Sequence, residues 1–161
     1  KLTFAALDNL PCPTISVIDG VALGGGLEIA LATDIRIVTQ KTILGLPEVK
    51  IGVIPGAGGT QRLPRLIGPG KAKELILTGD VIRGDEALKI GLVNHVFEDL
   101  PSAEEKANSM MKSILTNAPL SVKRAKKAVD EGLELSLKQG LDLEHEIYFP
   151  LLESEDRIEG L

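Results

Sequence analysis

Aromatic residues and cysteine are scarce in this sequence of 161 residues, which contains three Phe, one Tyr, no Trp and a single Cys. Cys12 has no partner for a disulfide within the chain, which fits a reducing compartment. It stands between Pro11 and Pro13, with neither His nor an acidic residue adjacent. We therefore expect a structural cysteine rather than a nucleophile.

The sequence also lacks long apolar runs and an excess of positive charge. No segment approaches the roughly 20 apolar residues of a membrane-spanning helix, and the net charge is −5. Neither a membrane nor a nucleic acid is therefore expected as a partner. No signal or transit peptide is recognisable, and the first residue is Lys1. We expect that the chain begins partway into a longer protein, and that any targeting segment is lost with the missing part.

The pattern of residues predicts mixed α/β structure before about residue 100 and helices after it. β-branched runs favour strands at 14–18, 34–39 and 92–97. Helices are expected at 1–10, 27–32, 60–66, 71–77 and 85–89, with Pro64 shortening the third. From residue 101, helical spacing predicts three helices. Ser102 and Glu105 would form a capping box, and the second helix would run from Pro119 to Gly132.

Two glycine clusters, at 24–26 and 56–59, each follow an apolar strand and precede a helix. Peptide N–H groups at a helix start are unpaired and can hold a phosphate or a developing oxyanion. Neither cluster fits a phosphate-binding motif. From the glycines alone, a tight turn packed under a helix remains an open interpretation. Their spacing is compatible with a weak repeat of strand-turn-helix units.

Glu28 and Glu48 are the candidate acid–base residues. Glu28 falls in the first turn of the helix after the first glycine cluster, where the helix dipole favours a negative charge and suits a general base. Glu48 has apolar neighbours that favour a neutral carboxyl, which suits a general acid. Both could instead be solvent-exposed carboxylates, and their spacing does not force them to meet.

The second cluster, with Gly56 and Gly59, offers backbone donors that could orient a carboxylate or a water. Gln61 and Arg62, which follow it, are expected to be structural. His95 and His145 have no partners resembling a catalytic triad or a metal site, so we expect both to be non-catalytic and no metal to be bound. The basic cluster at 123–127 has no accompanying aromatic residues and is expected to be a solvated helix face.

Together, these segments resemble the crotonase (enoyl-CoA hydratase/isomerase) family over essentially the whole chain. The motifs that carry the resemblance are Pro13-Thr14-Ile15, Asp19-Gly20, residues 22–28 with Asp34, residues 45–48, residues 54–63, Leu77-Thr78-Gly79, Glu86-Ala87, Gly91-Leu92-Val93 and Asp156-Arg157 with Glu159-Gly160. The resemblance implies an α/β fold. Residues 1–100 would be part of a spiral of ββα units that carries the catalytic loops, and residues 101–161 a helical trimerisation region.

The resemblance also implies roles for individual residues. Gly25 would donate an N–H to the thioester oxygen, with Gly24 and Leu23 beside it in the substrate site. Glu28 would activate water and Glu48 would deliver a proton to the α-carbon. The joint presence of both glutamates is typical of hydratases that act on 2-enoyl-CoA thioesters. No cofactor is implied, because coenzyme A is part of the substrate. A homotrimer or homohexamer in the mitochondrial matrix is implied.

Two family features lie outside this sequence. One is an N-terminal half that supplies a second oxyanion N–H and much of the coenzyme A pocket, and the other is a C-terminal Phe-x-x-Lys-Arg tail. We therefore expect the chain alone to be a poor enzyme. Alternative interpretations are a methylglutaconyl-CoA hydratase, a non-catalytic RNA-binding or scaffolding relative, and an inactive truncated product. Retention of both glutamates favours catalysis.

Overall fold

The computed structural model describes residues 2–155 and 157, which form two compact units. The first contains the chain up to Leu10 and residues 14–108, and the second contains residues 11–13 and the chain from Ser109. The functional division predicted at residue 100 stays a prediction. Of the C-terminal motif, Asp156, Glu159 and Gly160 lie outside the described residues. None of the described helices is long and apolar enough to cross a membrane.

The described part of the chain contains both strands and helices up to residue 97 and only helices after it. The strands are β1 (Ile15–Ile18), β2 (Val21–Leu23), β3 (Ile35–Thr39), β4 (Ile43–Gly45), β5 (Val81–Arg83) and β6 (His95–Phe97). The helices are α1 (Leu2–Asp8), α2 (Gly25–Leu31), α3 (Gly59–Ile67), α4 (Pro69–Thr78), α5 (Gly84–Lys89), α6 (Leu100–Leu115), α7 (Pro119–Gly132) and α8 (Leu137–Tyr148). Short 3-10 helices cover Pro47–Ile51 and Phe149–Glu153.

Two ββα units stack in the first unit, as the resemblance implies. The first runs β1–β2–α2 and the second β3–β4 followed by a 3-10 helix and α3. β1 pairs in parallel with β3, and β2 pairs in parallel with β4. β6 adds to β3 in parallel, and β5 adds to β4 in antiparallel orientation. Consecutive units therefore lie directly above one another, and their loops leave the two sheets at the same ends.

The turn between β1 and β2 is tied to the turn between β3 and β4 by two buried threonine hydroxyl groups. The Thr39 hydroxyl donates to Asp19 Oδ1 at 2.7 Å, and the Thr42 hydroxyl donates to the carbonyl oxygen of Ile18 at 2.9 Å. The Thr39 hydrogen bond, followed by one from Lys41, lowers the pKa of Asp19. Because Thr39 and Thr42 are fully buried, these bonds fix the offset between the two stacked ββα units.

The core of the first unit is formed by side chains from both sheets and from the helices packed on them. The side chains of Ile37 and Val38 on β3, Leu44 on β4 and Leu46 just after β4 are fully buried. Further buried apolar residues come mostly from the helices and from the segment before β6, among them Leu27, Ala30, Leu63, Ala72, Ala87 and Leu92. Burial of this apolar surface anchors α2 and α3, which carry the loops of the candidate site.

Several element boundaries differ from those predicted. Of the strand predicted at 92–97, only residues 95–97 form a strand, which is β6. The N–H groups of Leu92 and Val93 instead donate to the Ala87 carbonyl and complete the end of α5. Pro64 does not shorten α3, which continues to Ile67. It lies just beyond the first turn, so it removes only one helical hydrogen bond. α2 starts at Gly25, two residues before the predicted start.

The predicted capping box of α6 is wrong. Asp99 Oδ1 accepts from the Ser102 N–H at 2.9 Å, and the Asp99 carbonyl accepts from Ala103. Asp99 is therefore the N-cap, and Ser102 lies inside the first turn. A capping box does form in the second unit, where Ser136 and Gln139 start α8. The preference of Asp for the N-cap position outweighed the Ser-x-x-Glu spacing at α6.

Replacing Asp99 with alanine should lower the melting temperature, because α6 loses its N-cap. Hydrogen bonds from the Ser102 side chain and N–H lower the pKa of Asp99 below its ordinary value near 3.8. A lowered folded-state pKa stabilises the fold above that value, and the stabilisation disappears as the pH falls through the folded-state pKa. The melting temperatures of the parent and the variant should therefore differ at neutral pH and converge at acidic pH. Glu105→Ala is the control, because alanine removes any side-chain bond from Glu105 to the N-cap. An equal loss of stability from this variant would contradict the assignment of Asp99 as the N-cap.

Candidate active site

Glu28 is a buried carboxylate held by two backbone donors. Its position in the first turn of α2 follows from the glycine cluster, which starts the helix at Gly25. Only 3% of Glu28 is exposed. Oε1 accepts hydrogen bonds from the N–H groups of Ala57 at 2.7 Å and Gly59 at 2.8 Å. Two N–H donors on one oxygen stabilise a negative charge on that carboxylate and fix its rotamer.

The two donors come from the second glycine cluster, but one of them differs from the expected residue. The sequence predicted Gly56 and Gly59 as donors. Gly59 is one of the two donors, but among the described hydrogen bonds the other comes from Ala57 and not from Gly56. Gly58, at φ 114°, lies between the donors. This left-handed conformation reorients the chain so that the flanking N–H groups converge on one oxygen. A backbone donor leaves no side-chain signature, so the sequence did not reveal Ala57.

Gly59 has no room for a side chain. A Cβ at this position would lie 2.9 Å from Leu46 Cδ1 and from Pro55 Cβ, and 3.1 Å from Glu28 Oε1. The backbone of α3 therefore approaches the carboxylate as closely as a glycine allows. This contact, together with the buried Pro55, sets the position of the loop relative to Glu28.

Glu48 lies at the start of the 3-10 helix that follows β4. Its Oε1 would be 3.1 Å from a Cβ on Gly24, so the carboxyl group packs against the glycine that begins the first loop. Its Oε2 is buried and has no hydrogen-bond partner among the described residues. Buried carboxyl oxygens in proteins are bonded in most cases to a protein group or an ordered water, and the exceptions include catalytic groups. This makes Oε2 the atom of Glu48 best suited to exchange a proton with a ligand.

The strand register explains why Glu28 and Glu48 share one end of a sheet. Leu23 of β2 is opposite Gly45 of β4 in a parallel pair, and the Gly24 N–H donates to the Gly45 carbonyl at 3.0 Å. The Gly24 carbonyl in turn accepts from the Glu28 N–H at 2.9 Å. Each glutamate follows its strand within a few residues, so both lie beyond the carboxyl end of the β2–β4 pair. The Glu48 carboxyl group packs against Gly24, whereas Glu28 contacts Gly24 through its backbone N–H. Carboxyl ends of adjacent parallel strands commonly form ligand sites.

Gly25 presents an unobstructed backbone at the same place. It is the first residue of α2, so its N–H has no acceptor within the helix. A Cβ on Gly25 would meet no atom within 4 Å, in contrast to Gly24 and Gly59. Gly24 adopts φ 52° and ψ −123°, which disfavours any residue with a side chain. Leu23, at the end of β2, is partly exposed. The segments that follow β2 and β4 thus contain one polarised backbone donor and two glutamates.

The remaining candidates lie away from these loops. His95 is on β6, where burial and then the nearby Lys106 charge lower its pKa. His145 is on α8, stacked edge-on against Phe149. On the basic helix face, Lys126 and Lys127 pair with Asp130 and Glu131. Within the part of the chain that the structure describes, no group of three or more His, Cys, Asp or Glu side chains could hold a metal ion.

Comparison with known proteins gives a consistent set of relatives. A sequence profile described as "Enoyl-CoA hydratase/isomerase" matches residues 2–161. The enoyl-CoA isomerase/hydratase fer4 of Mycosarcoma maydis is 50% identical over 159 residues, which are 96% of this chain and 57% of that protein. The mitochondrial methylglutaconyl-CoA hydratase of Mus musculus is 47% identical over 156 residues, which are 95% of this chain and 50% of that protein.

A solved structure extends the likeness to three dimensions. The crystal structure of enoyl-CoA hydratase from Bacillus anthracis matches with a TM-score of 0.96 at 46% identity, and covers 99% of this chain and 61% of that chain. This chain thus spans between 50% and 61% of the length of the relatives described. By its sequence and its stacked ββα units, the chain belongs to the enoyl-CoA hydratase/isomerase, or crotonase, family.

Proposed function

We propose that the chain carries the acid–base half of an active site that adds water to a 2-enoyl-CoA thioester and gives a 3-hydroxyacyl-CoA. The observation that carries the proposal is the placement of two glutamates at the carboxyl ends of adjacent parallel strands. Glu28 is held through Oε1, Glu48 has a buried Oε2 without a described partner, and Gly25 has an unobstructed backbone.

In this mechanism Glu28 is the general base. Both described hydrogen bonds of its carboxylate use Oε1, which leaves Oε2 to accept a proton from water. The water oxygen bonds to C3 of the enoyl group, and the electrons of the C2–C3 double bond move towards the thioester oxygen. The Gly25 N–H stabilises the resulting enolate, as preorganised donors stabilise the oxyanions of acyl-transfer reactions.

Glu48 completes the reaction as the general acid. The thioester carbonyl re-forms as C2 takes the proton of the Glu48 carboxyl group, so that one H and one OH have been added in total. The proton gained by Glu28 then returns to Glu48 through solvent. A positioned general acid or base typically contributes about 10²–10⁴-fold to a rate. Neither step requires a cofactor. By resemblance, a second oxyanion donor would come from the part of the relatives that precedes this chain.

The test is to incubate the natural full-length protein with crotonyl-CoA and to measure the formation of 3-hydroxybutyryl-CoA. A second candidate is hydration of 3-methylglutaconyl-CoA, which the mouse relative at 47% identity favours. Comparing kcat/KM for the two substrates separates the candidates. Turnover of neither substrate by a correctly folded protein would refute both and favour a non-catalytic relative.

We further propose that the second unit mediates assembly into a homotrimer or homohexamer. Its helices carry large apolar side chains in solvent, including Leu133 at 80% and Leu137 at 81% exposure. Val129, Leu141 and Tyr148 are also largely exposed. Apolar surface of this extent usually marks an interface.

Replacing both Leu133 and Leu137 with glutamate should dissociate the assembly, because two charges would be buried without partners at the interface. Sedimentation of the full-length protein should then show monomers. Leu77→Glu on α4 is the matched control, since that leucine is 71% exposed but lies in the first unit. An unchanged sedimentation coefficient in the double variant would contradict this interface.

For the compartment, we propose the mitochondrial matrix. The name of the mouse relative places that protein in mitochondria, although the solved relative is bacterial. Fluorescence imaging of the full-length protein with a C-terminal tag tests this directly. Diffuse cytosolic signal would contradict the assignment.

A further inference from the structure

Arg62 uses its guanidinium group on two separate parts of the first unit. Nη1 donates to the Ala57 carbonyl at 2.8 Å. Nε donates to Asp8 Oδ1 at 3.1 Å, and Nη2 donates to Oδ2 of the same carboxylate. The sequence placed Arg62 on a polar helix face with a structural role. In the structure its planar fork instead fixes one defined carbonyl, a geometry that a point charge such as lysine does not reproduce.

The carbonyl held by Arg62 lies between the two peptide groups that hold Glu28. The Ala57 N–H belongs to the peptide joining residues 56 and 57, and the Gly59 N–H belongs to the peptide joining residues 58 and 59. The Ala57 carbonyl belongs to the intervening peptide, which is planar and rigid. A hydrogen bond that fixes this plane therefore constrains the direction of both N–H donors towards Glu28 Oε1.

Gly58 leaves the space through which the Arg62 side chain reaches back over the loop. A Cβ on Gly58 would overlap Nη1 of Arg62, and the residue adopts φ 114°. Arg62 also starts from a fixed point, because its own N–H donates to the Gly58 carbonyl at 2.8 Å. The Arg62 side chain therefore packs directly against the 56–59 loop, and this contact restricts movement of the Ala57 and Gly59 N–H groups.

Asp8 holds the other edge of the guanidinium from the end of α1. The Asp8 and Arg62 side chains are both at most about a third exposed, so the pair is partly shielded from solvent. Two parallel N–H···O bonds fix the orientation of a guanidinium as well as its position. Asp8 thereby sets the angle at which Nη1 meets the Ala57 carbonyl.

We propose that Arg62, oriented by Asp8, is a positioning residue for the general base. It acts through the 56–59 loop, whose N–H groups hold Glu28 in the rotamer that activates water. This inference rests on the proposed hydratase function. It assigns Arg62 no contact with the substrate, so its loss should lower kcat and leave KM for crotonyl-CoA nearly unchanged.

The experiment compares Arg62→Ala, Arg62→Lys and Asp8→Asn in the full-length protein. We expect Arg62→Ala to lower kcat by about 10–100-fold, since misplacement of about 1 Å at a reacting group can cost 10²-fold. Arg62→Lys and Asp8→Asn should show smaller losses in the same parameter. Arg65→Ala is the matched control, because Arg65 lies on the same helix, is exposed and hydrogen-bonds to Gln61. It should retain the kcat of the parent.

A double-mutant cycle separates positioning from a general effect on the fold. In Glu28→Asp, the shortened carboxylate should not reach the loop donors in the same geometry, so adding Arg62→Ala should cost little more. Equal losses in both backgrounds, or a folded Arg62→Ala with the parent kcat, would overturn the inference. If Arg62→Ala does not fold, the same cycle is run with Arg62→Lys and Asp8→Asn. Failure of the proposed function would appear differently, either as no hydration of crotonyl-CoA by the folded parent protein or as full activity in Glu28→Gln.

Discussion

Glu28→Gln in the full-length protein is expected to lower kcat for crotonyl-CoA hydration by about 10²–10⁴-fold, the usual contribution of a positioned general base. The fold should survive, because the amide oxygen of glutamine can accept the same N–H groups of Ala57 and Gly59 that now bond to Oε1. What the amide cannot do is take a proton from water. Matching circular dichroism spectra and melting temperatures would show that the loss lies in catalysis.

Glu48→Gln should lower kcat to a similar extent, since the amide cannot donate a proton to C2 and then recover it. Because Oε2 is buried, we expect some loss of stability, and activity is compared at a temperature where the variant is folded. Glu104→Gln, at an exposed position on α6, is the control and should behave as the parent. Near-normal kcat in either the Glu28 or the Glu48 variant would show that its assigned role is wrong.

The second large effect is expected from Gly59→Ala. The new methyl group would lie 2.9 Å from Leu46 Cδ1 and Pro55 Cβ, and 3.1 Å from Glu28 Oε1. These atoms are buried and cannot all move aside, so overpacking should cost about 1–3 kcal/mol of stability. The loop should also shift away from Glu28, and a displacement of about 1 Å can lower kcat by 10²-fold. Denaturant unfolding and steady-state kinetics measure the two effects separately.

Gly25→Ala provides the contrast. Its Cβ would meet no atom within 4 Å, so stability should not fall, and helix propensity favours alanine over glycine. Activity should nevertheless drop by about tenfold or more, because the methyl group enters the space where the thioester must approach the Gly25 N–H. Full activity in Gly25→Ala would place the substrate elsewhere. Full stability and activity in Gly59→Ala would contradict the tight contact with Glu28.

The sequence predicted the local elements whose signals are strong and short-range. Pro119 and Gly132 bound α7 as expected, and the β-branched runs at 15–18 and 35–39 form strands. Residue type determines the structure of these segments, and Pro119 and Gly132 determine where α7 begins and ends. Both effects act within a few residues. β2, β4 and β5 were missed, because three residues each are too few to show an alternating pattern. The pairing of β4 with β2 and with β5 joins segments that are distant in the sequence.

The candidate site was less accessible to sequence reasoning. The residue types of Glu28 and Glu48 suggested acid–base chemistry, but spacing alone left them apart. Their location at the same end of one sheet depends on the register that sets Leu23 opposite Gly45, which is a long-range property of the stacked ββα units. Backbone donors such as Ala57 are invisible to any search by side chain. The role inferred for Arg62 requires the conformation of Gly58, which a sequence does not specify.

The addition of water by Glu28 and Glu48 across an enoyl double bond is tested most directly by mass spectrometry of the products. The full-length protein acts on crotonyl-CoA once in H₂¹⁸O and once in D₂O. We expect ¹⁸O in a hydroxyl group at C3 and one deuterium at C2, with both signals lost in Glu28→Gln and Glu48→Gln. A product with a shifted double bond and no ¹⁸O would refute the proposed hydration, because that result requires proton transfer without hydration.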